Sequence, residues 1–520
     1  MKYILFLSLI LFTIQINYSQ IVPEIMWSKI YDGPGHKSED LYDIKADNNN
    51  NIYLAGRSDG LNGFADLFLI KYSSVGDSIF TLRYTSAPNS VNAANSIAID
   101  SNENIYAIGN ASFGNSYTDA VLFKYDMNGI LKWQKIFNSS EGQVVLLDPE
   151  HNPVIGIKQA GATIIEKYST SGDSLWSTQF KDDTSQYSIS NLLIDSNGNT
   201  YVILIQTYFS GGDVPDQYTI LLKLDPTGNI QWRKFINEGS PRKLIFDNDS
   251  NLILAFHLPG NILKLNQNGD SIWHYTSYAL VTDVSVDSKN NILLTGYGGG
   301  IGSFDYNTIK VSSTGSEIWR REFNSEENLR DFASCLAIDK KDNIYISGGT
   351  NDMISFGICY TLRYSDAGEL VWQQKYKAPH SIFNDAMGIF LDDSSNVYVG
   401  GDYFDSTNGS NYFLIKIGQD IHVGVPKDDN NIPNSFRLTQ NYPNPFNPNT
   451  VISYSIPTGN NVKLVVYNSL GQTIRVIENG YKSAGNYTVN FNAADLPSGI
   501  YFYRLEAGQF TEVRKMMLVK

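Results

Sequence analysis

Apolar residues along this chain come in short runs cut by tight polar turns, and the runs recur in register. Eight times an apolar residue is followed by Asp, three variable residues, Asn and another apolar residue. The pairs are Asp47/Asn51, Asp100/Asn104, Asp148/Asn152, Asp195/Asn199, Asp247/Asn251, Asp287/Asn291, Asp339/Asn343 and Asp392/Asn396. Their spacing of about 40 to 53 residues is close to that of propeller blades. The second copy divides at its turn signals into strands over 96–100, 104–111, 120–125 and 130–137, which predicts four antiparallel strands per unit. Asp and Asn suit the first turn because their short side chains bond neighbouring backbone groups and tolerate left-handed conformations.

A second element closes each unit: Gly, three residues, then an aromatic. It reads Gly76/Phe80, Gly129/Trp133, Gly172/Trp176, Gly228/Trp232, Gly269/Trp273, Gly315/Trp319 and Gly368/Trp372. Glycine supplies the positive φ of a hairpin turn, and the ring four residues on fills space between neighbouring units. Asp100, Asn104, Trp133, Asp339, Asn343 and Trp372 are thus read as structural repeat residues. Trp27 stands before the first Asp/Asn unit, in a stretch that looks like a fourth strand, whereas the last unit ends after three. Joining the two predicts a closed ring without exposed edges, monomeric by itself. Third strands end in a basic residue, from Lys71 and Lys124 to Arg363 and Lys416, and recurrence in every copy argues for a structural role.

Composition narrows the class. With 42% hydrophobic and only 18% charged residues, 33 Tyr and 26 Phe, the 520-residue chain can bury a large core and favours strands. A net charge of −14 argues against a sequence-independent grip on nucleic acid, which needs basic patches. Residues 1–19 have one Lys, an apolar run from Tyr3 to Ile14 and a polar end, the plan of a secretory signal peptide. No later run is long enough to span a bilayer, so no integral membrane segment is expected after signal removal. Cys335 and Cys359, the only cysteines, fall on first and third strands of one unit, too far apart to bridge, and are read as buried thiols.

Candidate chemistry is sparse. Asp100, Asn102 and Asn104, like Asp195, Asn197 and Asn199, place oxygens at the first, third and fifth positions of a calcium-type loop. The sixth and twelfth positions are Ile105 and Ala111, or Thr200 and Gln206, where such a loop wants Gly and Glu. Sister copies carry Lys289 and Lys341 at the third position. Turn formation, with no metal, is the reading. The six histidines are scattered singly, and neither a phosphate-cradling GxxxxGK[ST] loop nor a GxSxG elbow occurs. No catalytic residue is assigned. Irregular insertions at 207–217 and 403–411 are the candidates for a specific surface, because loops on a regular ring carry specificity.

The segments 225–232 and 314–319 resemble the tryptophan-docking motif of eight-bladed quinoprotein dehydrogenases, which bind pyrroloquinoline quinone. Those enzymes typically carry adjacent cysteines and this chain has none, so no cofactor is expected. After a Pro- and Asp/Asn-rich linker at 425–433 the repeat stops. Asn486 to Phe491 alternates, with Tyr487, Val489 and Phe491 on one face, as in a sandwich strand with one wet side. About seven such strands predict an immunoglobulin-like sandwich over 434–520.

In that module Asn441 to Pro448, including Asn444 and Pro445, Tyr467 to Gln472, including Gly471, Leu496 to Tyr501, including Gly499 and Tyr501, and the terminal Lys515 to Lys520 resemble the type A C-terminal sorting domain of the bacterial type IX secretion system. The resemblance implies recognition by an outer-membrane translocon, followed by release or attachment to surface polysaccharide. The propeller part more loosely resembles bacterial extracellular propeller-repeat proteins. The expected protein is all-β, an eight-bladed β-propeller over 20–424 followed by an immunoglobulin-like β-sandwich. It is expected to be secreted or held at the cell surface, via the periplasm, as a binding or adhesion module for an extracellular glycan or protein. The alternatives are an extracellular polysaccharide hydrolase or lyase with its site in the propeller channel, and a scaffold without a small ligand.

Overall fold

The computed structural model describes residues 22–519, apart from 62, 114–117, 182–184, 209–215, 258–259, 299–303, 327–328, 352–356, 406–408, 420–435, 442–443 and 483–484. The expected signal peptide at 1–19, the linker at 425–433 and Lys520 lie outside the described residues. Every named element is a strand. Contacts divide the chain into two units, Met1–Val423 and Gly424–Lys520.

Among the described residues the first unit holds eight four-stranded antiparallel sheets, each a meander of consecutive strands except the last. They occupy 39–84, 93–137, 140–181, 185–236, 241–276, 280–323, 330–376 and 381–417. The last takes its fourth strand, Ile25–Tyr31, from the other end of the chain, paired antiparallel to Gly409–Ile417. The strand patterns explain the layering. Ala65–Tyr72, a third strand, is buried at every position, whereas Leu131–Phe137, a fourth strand, alternates exposed and half-buried. Inner strands covered on both faces read as continuous apolar runs, and an outer strand with one wet side alternates.

Burial is organised between the sheets. Each of eight hydrophobic clusters draws on two neighbouring sheets, as when Tyr53 and Leu67 meet Ile97 and Phe123. The cluster of Leu41, Leu54 and Phe68 with Tyr398, Tyr412 and Leu414 joins the first sheet to the last. The first strand of each sheet packs on the first strand of the next, and Ser381–Leu391 packs back on Glu39–Ala46. This is a β-propeller. Cys335 and Cys359 lie on the first and third strands of one sheet, both buried and free, and each sulfur is hydrogen-bonded to Ser347 on the strand between.

Among its described residues the second unit has seven strands in two sheets. Arg437–Leu438, Asn449–Ile456 and Gly485–Asn492 form one, and Thr473–Lys482, Asn460–Asn468, Gly499–Ala507 and Phe510–Leu518 the other. Ile452 and Tyr454 from the first share a core with Val466, Tyr503 and Leu505 from the second. Tyr487, Val489 and Phe491 all face that core.

Candidate functional site

The meander puts the Asp/Asn turn of every sheet, and the Gly turn of every sheet but the last, at one end of the propeller and the remaining connections at the other. At the tight-turn end the Asp of each pair organises its own loop. Asp100 Oδ1 accepts the amides of Asn102 at 2.9 Å and Asn104 at 2.8 Å, while Oδ2 accepts Asn104 Nδ2 at 2.8 Å. Asp339 repeats this with Lys341 and Asn343, and also accepts Tyr345 Oη at 3.1 Å. In several sheets the third-strand base closes the set: Lys167, Lys264 and Lys310 reach Asp148, Asp247 and Asp287 at 2.5, 2.7 and 2.8 Å. With its oxygens spent on backbone amides and the Asn side chain, and in some sheets on an ammonium or a Tyr hydroxyl as well, the Asp is a turn organiser.

The ring of each GxxxW unit sits on the glycine turn of the following sheet. A Cβ on Gly172 would fall 3.2 Å from Trp133 Cδ2, and the Trp133 indole donates to Thr170 O at 3.2 Å. Trp176, Trp232, Trp273 and Trp319 make the same bond to Pro226, Gln267, Ser313 and Asp366. Trp372 differs: in the next sheet no glycine turn joins the third strand to the fourth, which is Ile25–Tyr31, and Trp372 is buried in the cluster containing Phe413 and Ile417.

One cluster among the described residues has metal-ligand character. Oxygens of Asp287, Asp342 and Asp366 lie within 4.8 Å of one another. Lys310 bonds Asp287 and Asp366, and Lys289 reaches Asp366 at 2.8 Å. The charge is thus met by the chain's own ammonium groups, and the cluster is an ion-pair network joining two sheets.

The opposite end is where the sheets stop being alike. Each first strand carries a β-bulge at the same level, at Tyr42, Asn95, Gln143, Ser190, Arg242, Thr282, Ser334 and Met387. A bulge re-aims one side chain off the ladder. Several of these residues tie one sheet to the next: Asn95 Nδ2 donates to Gly142 O at 2.6 Å, Ser190 Oγ to Pro241 O at 3.2 Å and Thr282 Oγ1 to Ala333 O at 2.7 Å.

Two cavities, about 440 and 370 Å³, open here and share Tyr42, Asn95 and Asn110. The first adds Arg57, Asn89 and Val91, the second Glu141, Gln143 and Ile189. None of these residues was singled out from the sequence. The usable signal was departure from the repeat: the position of Asn110 on its second strand is held by Arg57, Lys158 and Asp402 in sister sheets. Of the insertion candidates, 209–215 and 406–408 lie outside the described residues. Gln217 and Tyr218 line a separate cavity of about 350 Å³ beside Glu238.

In the second unit, residues 440–520 match the family model described as the secretion system C-terminal sorting domain. This segment is a type IX sorting domain. It directs the chain to the cell surface or medium through the periplasm. Comparison with curated proteins returns no match. Among solved structures, the Dos1 propeller is similar at 11% identity, covering 76% of this chain and 95% of that one, with a TM-score of 0.49. Drosophila Plexin A in complex with Semaphorin 1b is similar at 10% identity over 77% and 88%, TM-score 0.41. So is PorZ, a bacterial surface component of the type-IX secretion system of Porphyromonas gingivalis, at 11% over 92% and 87%, TM-score 0.21. These likenesses are too distant to inform the site.

Within the sorting domain the motif residues fall in two places. Asn444 Oδ1 accepts Met517 N at 2.8 Å and its Nδ2 donates to Lys515 O at 3.4 Å. Phe446, just past Pro445, exchanges backbone bonds with Met517 and Val519. On the neighbouring strand Gly499 pairs with Leu518 and Tyr501 with Met516, so Asn444, Gly499, Tyr501 and Lys515 gather about the last strand. Tyr501 is core, 5% exposed, with its hydroxyl donating to Pro497 O at 2.8 Å. Gly471 stands apart in a tight turn, at φ 78°, where Asn468 plays the part that Asp plays in the propeller.

Among the described residues no helix is long and apolar enough to cross a membrane.

Proposed function

We propose that this chain is an exported binding module. An eight-bladed propeller over 20–424, closed by its N-terminal strand, is carried out of the cell by an immunoglobulin-like sorting domain over 434–520. Cleavage of a signal peptide at 1–19 starts the route, and an outer-membrane translocon reads the C-terminal domain through Asn444, Pro445, Gly471, Gly499, Tyr501, Lys515 and Lys520. Eight sheets and eight inter-sheet clusters support the blade count. Two sheets over one core, and a Tyr501 hydroxyl bonded back to the backbone as in a tyrosine corner, support the immunoglobulin-like reading.

The observation that carries the reading is the sorting-domain match at 440–520, because a propeller carried to the cell surface or medium meets extracellular glycans and proteins as its candidate partners. The propeller's uneven end, with its paired cavities, is the surface that meets them. The mature chain, purified and incubated with extracellular polysaccharides and surface proteins, retains one of them without releasing product. Turnover of a retained polymer would replace the binding module by an enzyme.

A further inference from the structure

We propose that the cavities sharing Tyr42, Asn95 and Asn110 form one subsite for an uncharged oligosaccharide. The proposal rests on the reading of the propeller as a binding module and names its ligand class. Among the side-chain amides that line the paired cavities, Asn95, Asn110 and Gln143 are each anchored through one half by a backbone bond that fixes which way it points. Asn95 gives its Nδ2 to Gly142 O at 2.6 Å, Asn110 takes Gly142 N on its Oδ1 at 2.8 Å, and Gln143 takes Ile189 N on its Oε1 at 3.1 Å. The other halves, Asn95 Oδ1, Asn110 Nδ2 and Gln143 Nε2, are left with no bond inside the described chain.

One acceptor and two donors in fixed orientation match hydroxyl groups, which both give and receive hydrogen bonds. Holding them in place beforehand removes the ordering cost that would otherwise weaken a polar ligand's binding. Tyr42 adds a ring 44% exposed, an apolar face with a polar tip of the kind that covers the C–H side of a sugar. The charges in the walls are already matched: Arg57 Nε bonds Asp40 at 2.5 Å, and Glu141 faces Lys158 at 3.4 Å. No unpaired cation among these walls calls for a carboxylate or sulfate, and no unpaired anion calls for an amine. The volumes, about 440 and 370 Å³, lie in the range of small-ligand sites. In the other five sheets the bulge position is held by Ser190, Arg242, Thr282, Ser334 and Met387, so the amide array belongs to this sector alone.

The mature full-length chain is tested against an array of neutral oligosaccharides and their uronic-acid and sulfated counterparts, with titration calorimetry on whatever binds. Variants Tyr42→Ala, Asn110→Ala and Gln143→Ala are compared with it, and thermal melts check their folding. The proposal expects binding to a neutral oligosaccharide and a loss of about tenfold or more in affinity in each variant. Tyr42, being exposed, serves as the arm least able to disturb the fold. Failure to bind any neutral oligosaccharide, binding confined to the acidic counterparts, or binding indifferent to all three substitutions overturns it. Capture of a protein or an acidic polymer elsewhere on the chain leaves the binding-module reading standing while this subsite falls. Hydrolysis of a neutral glycan held by these residues does the reverse.

Discussion

The indole of Trp27 lies on Gly76, so that a Cβ there would fall 2.9 Å from Trp27 Cδ2. This is the contact Trp133 makes with Gly172, yet Trp27 comes from the strand that the chain's beginning lends to the last sheet. One detail differs. Ser74 O, the carbonyl equivalent to Thr170 O, takes Tyr398 Oη and Lys416 Nζ, each at 3.2 Å, and the Trp27 indole nitrogen has no partner among the described residues. Packing, not hydrogen bonding, holds the ring at this junction.

Trp27→Ala therefore removes the clasp between the last sheet and the first, at a cost of about 2 kcal/mol. Gly76→Ala costs about 1–2 kcal/mol, because Gly76 sits at φ 88° and an added methyl meets the indole. Denaturant melts of the two single variants and the double variant measure this. Losses in the double variant smaller than the sum of the singles report the shared contact, and strict additivity contradicts it.

Asp339→Ala should destabilise by about 2 kcal/mol, since four donors lose their acceptor. Its acid behaviour follows from the same bonds. Burial alone would raise the Asp339 carboxyl, but the Asn343 side chain and the turn amides outweigh it and hold the group below its ordinary 3.8. Asp47 and Asp392 are lowered in the same way, and Asp148, Asp247 and Asp287 are lowered, against the same burial, first by the ammonium groups of Lys167, Lys264 and Lys310 and then by their Asn and turn amides. A lowered carboxyl contributes stability above its unfolded value and loses it as pH falls through the folded one. Melting temperature should drop steeply below about pH 4, and less steeply when Asp339 is Ala.

Glu39 has the opposite sign. It is fully buried, and burial pushes its carboxyl from 4.5 up to about 7, with Asp32 and Asp59 adding to the rise and Ser58 opposing it. A raised carboxyl favours the fold below the unfolded value, and that contribution is lost as pH climbs from 4.5 through 7. Glu39→Gln keeps the shape and removes the titration. Melts between pH 5 and 8 should show the parent losing stability relative to the variant.

Gly499 is not demanded by the fold. Its φ is not positive, and an added Cβ would find nothing within 4 Å. Gly499→Ala should leave the melting temperature unchanged while lowering the secreted fraction, measured by immunoblot of medium and periplasm. A stable variant secreted like the parent would remove Gly499 from the sorting signal.

How far these features could be read in advance depended on whether the physics was local. Asp100 and Asn104 declare themselves because a turn needs a short oxygen side chain at a fixed offset, and all partners lie within four residues. Trp27 was legible as an orphan of the repeat, and the alternation of Tyr487, Val489 and Phe491 fixed a core face. The cavity was not legible. Tyr42, Asn95 and Gln143 come from three sheets, and only a bulge, which leaves no residue signature, turns each of them to one level. Glu39 reads as an ordinary strand-end charge until the Gly33 backbone and Ser58 close over it.

The central claim is that the propeller leaves the cell on the strength of its C-terminal domain. Deleting 434–520 from the full chain and following it by fractionation is the most direct test. The truncated propeller should accumulate in the periplasm, folded, while the parent reaches the surface or medium. Secretion of the truncation at the parent's level would contradict the account.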